Sequence, residues 1–255
     1  RRKADMLKKF LTILGVKTFA NYVRNWIAHP LIDFFKSGKY NRTIYQESFD
    51  MAVKETYETL NNEITNSMVF IDKYDLRAYC VKKLREQLSN YKQTKNNVLC
   101  LEFGVWRGRS INYFSDELPE MKFIGFDSFQ GIPEDWSGTG SPAGSFSAEG
   151  QIPTVNDNVK LQVGMIEETL PKFFKENLDV KIAFVHIDVD IYSTSKFILS
   201  NIKNRLMSGS IILFDDFCCF PGWKNGEYKA LNEVFKREEY NYLGFGEMVS
   251  GITIK

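Results

Sequence analysis

Two apolar runs of the chain finish in acids: Ile182-Ala-Phe-Val-His-Ile-Asp-Val-Asp190 and Ile211-Ile-Leu-Phe-Asp-Asp216. Carboxylates brought together repel, and their pKa values rise unless a cation neutralises them. A hard divalent ion with oxygen ligands, most simply Mg²⁺, fits Asp188, Asp215 and Asp216. The competing reading makes Asp190 or Asp216 a cap on the helix or turn that follows. A third apolar run contains Glu102 and leads into a turn with Gly104, Gly108 and Ser110. Glu102 stands where a dinucleotide-binding fingerprint has its first glycine, and an acid there suits a cationic ligand better than a pyrophosphate. A fourth run, Lys122-Phe-Ile-Gly-Phe-Asp127, ends in a carboxylate placed to take up two ribose hydroxyls. The pair Glu102 and Asp127 points to S-adenosylmethionine.

These residues need strand ends on one edge of a sheet. From Val98 onward the pattern alternates: strand 98–103, helix from about Gly108, strands 122–127 and 159–163, helix from about Glu167, strand 181–187, helix 192–206, strand 209–215. Such alternation implies a mostly parallel, Rossmann-like α/β sheet with helices on both faces and all carboxyl ends on one edge. Seven strands are expected, the last two (240–245 and 251–255) forming an antiparallel C-terminal hairpin after a helix from about Glu227 to Glu239. The segment Ser137 to Gly150, rich in small residues, reads as a substrate lid.

Residues 1–92 read as an N-terminal helical extension for dimerisation or substrate capping, and 93–255 as the catalytic domain. Within the extension, residues 5–27 form an amphipathic basic stretch whose apolar face predicts a homo-oligomer. Helices are also expected at about Gln46 to Asn62 and Lys73 to Tyr91. Lys8-Lys9 interrupts the apolar run near the start, so neither a secretory signal nor a membrane span is read there. With 33 basic and 32 acidic residues, no overall field recommends nucleic acid as a partner. Four cysteines without zinc spacing predict reduced thiols and a cytoplasmic protein.

The runs Glu102-Phe-Gly-Val-Trp-Arg-Gly-Arg-Ser110, Gly125-Phe-Asp-Ser-Phe-Gln-Gly-Ile-Pro-Glu-Asp-Trp136, His186-Ile-Asp-Val-Asp-Ile-Tyr-Ser193 and Phe214-Asp-Asp216 with Phe220-Pro-Gly-Trp223 together resemble the macrocin O-methyltransferase family. The resemblance covers about Val98 to Ala230 and implies a class I methyltransferase fold with Mg²⁺-assisted O-methylation of sugar hydroxyls. By position it puts Glu102 and Gly104 by the methionine moiety and Asp127 and Ser128 by the ribose. Gly164, Ile166 and Glu167 then lie by the adenine, and Asp188, Asp215 and Asp216 at the metal. With Gly108, Ser110 and Asp188 these residues make up the expected cofactor site. Phe217-Cys218-Cys219, after the paired acids Asp215-Asp216, departs from the Tyr, often after a Glu as second acid, common at that place.

Methyl transfer to oxygen needs positioning and a deprotonated hydroxyl. A metal lowers the hydroxyl pKa, and Asp188 and Asp190 are the expected catalytic acids, with Asp190 taking the proton. His186 reads as a packed residue, and Trp106, Trp136 and Trp223 as aromatic faces near the same edge. The expected acceptor is a sugar or similar polyol. Its competitor is a catechol-type oxygen pair, and the rival classes are a nicotinamide-dependent oxidoreductase and a non-catalytic binding module.

Overall fold

A computed structural model describes residues 43–88 and 97–255, together with Val23. The chain divides into two compact units, Arg1–Glu47 and Ser48–Lys255. The amphipathic stretch 5–27 and the boundary expected at 92/93 lie outside the described residues. No helix among the described residues is long and apolar enough to cross a membrane.

In chain order the elements are α1 (Ile44–Thr65), β1 (Met68–Phe70), α2 (Lys73–Leu88), β2 (Val98–Phe103), α3 (Arg109–Glu117), β3 (Lys122–Asp127), β4 (Val159–Val163), α4 (Ile166–Glu176), β5 (Lys181–Ile187), α5 (Tyr192–Ile202), β6 (Leu206–Phe214), α6 (Glu227–Val234), β7 (Tyr240–Gly246) and β8 (Val249–Ile254). The strands form one sheet in the order β1-β7-β8-β6-β5-β2-β3-β4. Neighbours run parallel except at β8, which is antiparallel to both β6 and β7. The expected doubly wound sheet with its C-terminal hairpin is therefore present. It carries an eighth strand, because Met68–Phe70 pairs with Gly244–Gly246 beyond the hairpin. Three residues between two helices show too little alternation to be read as a strand.

Every residue of β2 is buried, as is all of β5 after Lys181, which is why both read as unbroken apolar runs. Side chains alternate between the two faces with a period of two. Leu101, Phe103, Ile187 and Phe214 enter the core shared with α4, α5 and α6, whereas Cys100, Phe184 and Leu213 enter the core covered by α2 and α3. Glu102 and His186 are cross-strand neighbours, and the alternation puts both on the α2/α3 side. Helix α2 buries Leu76, Cys80, Val81, Leu84 and Leu88 against that side. Each such aliphatic side chain contributes about 1.5–3 kcal/mol.

Candidate active site at the carboxyl edge of the sheet

At the end of β2 the chain turns at Gly104, where φ is +86°. A Cβ there would lie 1.7 Å from the Asp188 carbonyl oxygen, so strand ends β2 and β5 can approach this closely only with glycine. The Asp127 carboxylate, at the end of β3, fixes the same turn. Its Oδ2 accepts from the amides of Val105 (2.8 Å) and Trp106 (2.7 Å), and its Oδ1 from the amide of Phe129 (2.7 Å). A carboxylate has about four acceptor positions. Asp127 therefore spends most of its capacity on backbone and keeps about one position for a ligand. Gly108 has φ +76° and forms the N-cap of α3, so its part is in the backbone of the turn.

Behind this turn runs a buried polar chain. The Ser110 hydroxyl donates to Glu102 Oε1 at 2.9 Å, and Glu102 Oε2 meets His186 Nδ1 at 3.0 Å. On its other side His186 Nε2 stands 3.5 Å from Asp215 Oδ1. Asp215 completes the chain by accepting from Arg77 Nη2 at 2.5 Å and Lys73 Nζ at 3.0 Å. Burial disfavours the charged imidazole of His186, but its carboxylate partners Asp215 and Glu102 outweigh that and raise its pKa to about 9. Burial likewise opposes ionisation of Asp215, and His186, Arg77 and Lys73 overcome it, holding the carboxyl well below its ordinary range. His186 is buried and packed edge-on against Phe114, as the sequence leads one to expect, and it is also a polar link between two carboxylates. Glu102 stands in this chain, one layer behind the cavity wall.

Among the described residues the remaining acids make no direct ion pair; burial raises Asp188 and Asp190, and His186 and Lys73, respectively, oppose that rise only through space. Ligand oxygens of Asp188, Asp190 and Asp216 lie within 4.8 Å of one another. Burial, with Asp215 and Asp190 nearby, pushes Asp188 up to about 8. Burial pushes Asp190 up to about 6, moderated by its hydrogen bond with Asp216. Asp216 is raised well above its ordinary range, by burial and by the neighbouring Asp190 and Glu227. Glu227 is itself fully buried: its Oε2 accepts from the Asp216 amide at 3.0 Å, while Oε1 has no partner. Helix α5 has no side-chain cap at its N-terminus, so capping does not account for Asp190. Asp190 also holds a left-handed φ of 64°, an uncommon conformation for a non-glycine residue that re-aims its side chain. Unneutralised carboxylates at this density suit a hard divalent cation. By this geometry the uncommitted donors are Asp188, Asp190 and Asp216. Asp215, which the sequence groups with the metal ligands, also stands within 4.8 Å of ligand atoms of His186 and Asp188, while Arg77 and Lys73 engage its two oxygens.

A cavity of about 510 Å³ opens over both halves, within the usual range for small-molecule sites. Gly104, Ser110, Asp127, Ser128, Ile166 and Glu167 line one part, and Asp188, Asp190, Asp215 and Asp216 another. Ser128 also turns its hydroxyl to the Gln130 amide, and Glu167 accepts from Thr194 at 3.0 Å. Glu102, Gly108 and Gly164 are outside the lining; Gly164 instead donates its amide to the Asp127 carbonyl. Trp106 and Trp136 border the cavity, but Trp223 is fully buried and donates to Glu55 at 3.0 Å, so it offers no face to a ligand. The small-residue segment contributes Phe146, in edge contact with Trp136 at 6.3 Å. Its wall is thus more aromatic than its composition suggests.

Lys73, Arg77 and Glu227 were not legible as site residues. Arg77 did leave a trace, since it sits among Leu76, Val81 and Leu84 on the buried face of α2, where a charge needs a partner.

Residues 101–217 match the family model described as a methyltransferase domain. No curated protein matches the chain. Among solved structures it is similar to CalS11, a calicheamicin methyltransferase, at 22% identity, with 84% of this chain and 94% of that one covered and a TM-score of 0.53. It is also similar to the O-methyltransferase NovP, at 16% identity over 70% of this chain and 79% of that one, again with a TM-score of 0.53. An apo form of CalS11, titled a TDP-rhamnose 3'-O-methyltransferase, gives 21% identity and a TM-score of 0.50 over 84% of this chain and 96% of that one. At these identities the likeness is one of fold.

Proposed function

We propose that the protein is an S-adenosylmethionine-dependent O-methyltransferase acting on a hydroxyl of a sugar or similar polyol, with Mg²⁺ assisting. The observation that carries this reading is the single cavity in which the Asp127-braced turn and the acid cluster face each other. The methyltransferase-domain match over residues 101–217 supports it, as does the likeness in fold to a TDP-rhamnose 3'-O-methyltransferase and to the O-methyltransferase NovP.

Gly104, Ser110, Asp127, Ser128, Ile166 and Glu167 would hold the nucleoside, and Asp188, Asp190 and Asp216 the cation. Adenosylmethionine supplies an electrophilic methyl group, and Mg²⁺ lowers the pKa of a hydroxyl bound to it. The chain's own work is positioning and proton transfer. Asp190, whose pKa is raised by burial and moderated by the hydrogen bond with Asp216, would accept the hydroxyl proton. Asp215, locked by Arg77 and Lys73, keeps the β6 end in place beside it. Trp136 and Phe146 shield the acceptor side from water. They also favour the second reading, a catechol-type acceptor, since an aromatic ring would pack against this aromatic wall.

Isothermal titration with adenosylhomocysteine and with NAD tests the nucleoside assignment. Adenosylhomocysteine should bind and NAD should not. Asp127→Ala should weaken adenosylhomocysteine at least tenfold, about 1.4 kcal/mol. NAD binding in preference would overturn the methyltransferase reading. A mass-spectrometric screen for methyl gain on nucleotide-linked sugars, glycosides and catechols then decides the acceptor; gain confined to catechols would overturn the sugar assignment.

A further inference from the structure

One residue beyond Asp215-Asp216, after Phe217, come two adjacent cysteines that the proposed reaction does not use. Their sulfurs are 3.7 Å apart. Cys218 is buried and Cys219 half-buried, so one thiol is open to small reagents and the other stands behind it. The backbone around them is pinned. The amides of Phe217 and Cys218 both donate to the Met248 carbonyl, at 2.8 and 3.1 Å, and the Cys219 amide donates to Thr56 Oγ1 at 3.0 Å. Cys219 holds a φ of 67°, a left-handed turn that keeps its side chain beside that of Cys218.

We propose that Cys218 and Cys219 are a modification site, a thiol pair that a hydroperoxide converts reversibly into a disulfide between neighbouring residues. The Cys219 thiolate attacks one peroxide oxygen, the O–O bond breaks, and the sulfur becomes a sulfenic acid while hydroxide (or alkoxide) leaves. The Cys218 sulfur then attacks the sulfenic sulfur, forming S–S and releasing water. Two thiols and one hydroperoxide give one disulfide and two molecules of water, or water and an alcohol. The hydrogen bond with Cys218 outweighs burial and lowers the Cys219 thiol to about 7, which supports its place as the attacking sulfur.

Geometry also says what kind of bond results. Neighbouring Cα atoms are about 3.8 Å apart across a trans peptide, below the roughly 4.4–6.8 Å usual for disulfides. The bond is therefore strained and easily reduced, as reversible disulfides are and structural ones are not. Closing the ring must turn the peptide two residues beyond Asp216, so the thiol state reaches the acid cluster. That last consequence rests on the methyl-transfer reading; the disulfide itself does not.

The test is peptide mapping of the full chain after brief treatment with hydrogen peroxide, with the free thiols alkylated. Cys80 and Cys100, both fully buried, serve as internal controls. The expected result is loss of two hydrogens confined to the peptide that holds Cys218 and Cys219, reversed by dithiothreitol. In Cys218→Ser the product should stop at a sulfenic acid on Cys219 that dimedone traps. The proposal fails if Cys218 and Cys219 both remain alkylatable in the treated protein. It also fails if Cys219 passes to sulfinic acid while Cys218 stays a thiol. A chain that forms the disulfide but methylates nothing would refute the methyl-transfer reading and leave this site standing.

Discussion

Removing the Arg77 guanidinium would leave the Asp215 carboxylate buried with Lys73 and His186 for partners and Asp188 as an uncompensated neighbour. Breaking a buried ion pair from one side costs about 3–5 kcal/mol, because the surviving charge loses its partner and not its burial. Arg77→Ala should therefore lower the urea unfolding free energy by roughly that amount. Arg77→Met with Asp215→Asn should recover much of the loss, since neither charge then remains. An Arg77→Ala protein within about 0.5 kcal/mol of wild type would show that the pair is solvated and that Asp215 is free for other work.

At the scale of elements, the ends of β2, β5 and β6 gather titratable groups whose balance changes with pH. His186 is raised from 6.5 to about 9, so its contribution is fully present below about pH 6.5 and is lost as pH rises through 9. Asp188 is raised from 3.8 to about 8, so the folded state keeps its proton longer than the unfolded chain, and stability again falls as pH rises towards 8. Asp215 is shifted the other way and matters only on the acid side. In chelator the thermal midpoint should fall between about pH 6.5 and 9, at about 2–4 °C per kcal/mol for a domain of this size. Mg²⁺ should offset the Asp188 share, because a cation takes the place of the proton. A midpoint that rises with pH in chelator, or ignores Mg²⁺ at pH 9, would count against the acid cluster as a cation site.

Over the whole molecule, long-period features were legible and close contacts were not. Strands β2, β3 and β5 begin and end where their apolar runs do, because parallel strands buried on both faces leave that trace in sequence, while the edge strand β4 shows through its alternation of apolar and polar residues. Convergence of Asp188, Asp190 and Asp216 followed from the rule that parallel strand ends share an edge. What the sequence could not show is which acid meets a cation. That depends on Arg77 and Lys73, which lie more than a hundred residues from Asp215 on a helix read as part of the N-terminal extension. Glu227 was hidden for the same reason, since its carboxyl reaches Asp216 only through the packing of α6. The role of His186 turned on register: opposite Glu102 across the ladder, it becomes a link between two carboxylates.

The most direct measurement is transfer of a labelled methyl group from adenosylmethionine to a hydroxylated acceptor, made on wild type, Asp190→Asn and Asp216→Asn alongside adenosylhomocysteine titration of each protein. Both substitutions leave the Asp127-braced turn untouched. Adenosylhomocysteine affinity should thus stay within about twofold, while Asp190→Asn loses about 10²–10⁴ in rate, the usual worth of a general base. Asp216→Asn should lose rate and require more Mg²⁺. Full transfer rates in both variants, with the nucleoside still bound, would contradict a methyl-transfer centre at these strand ends.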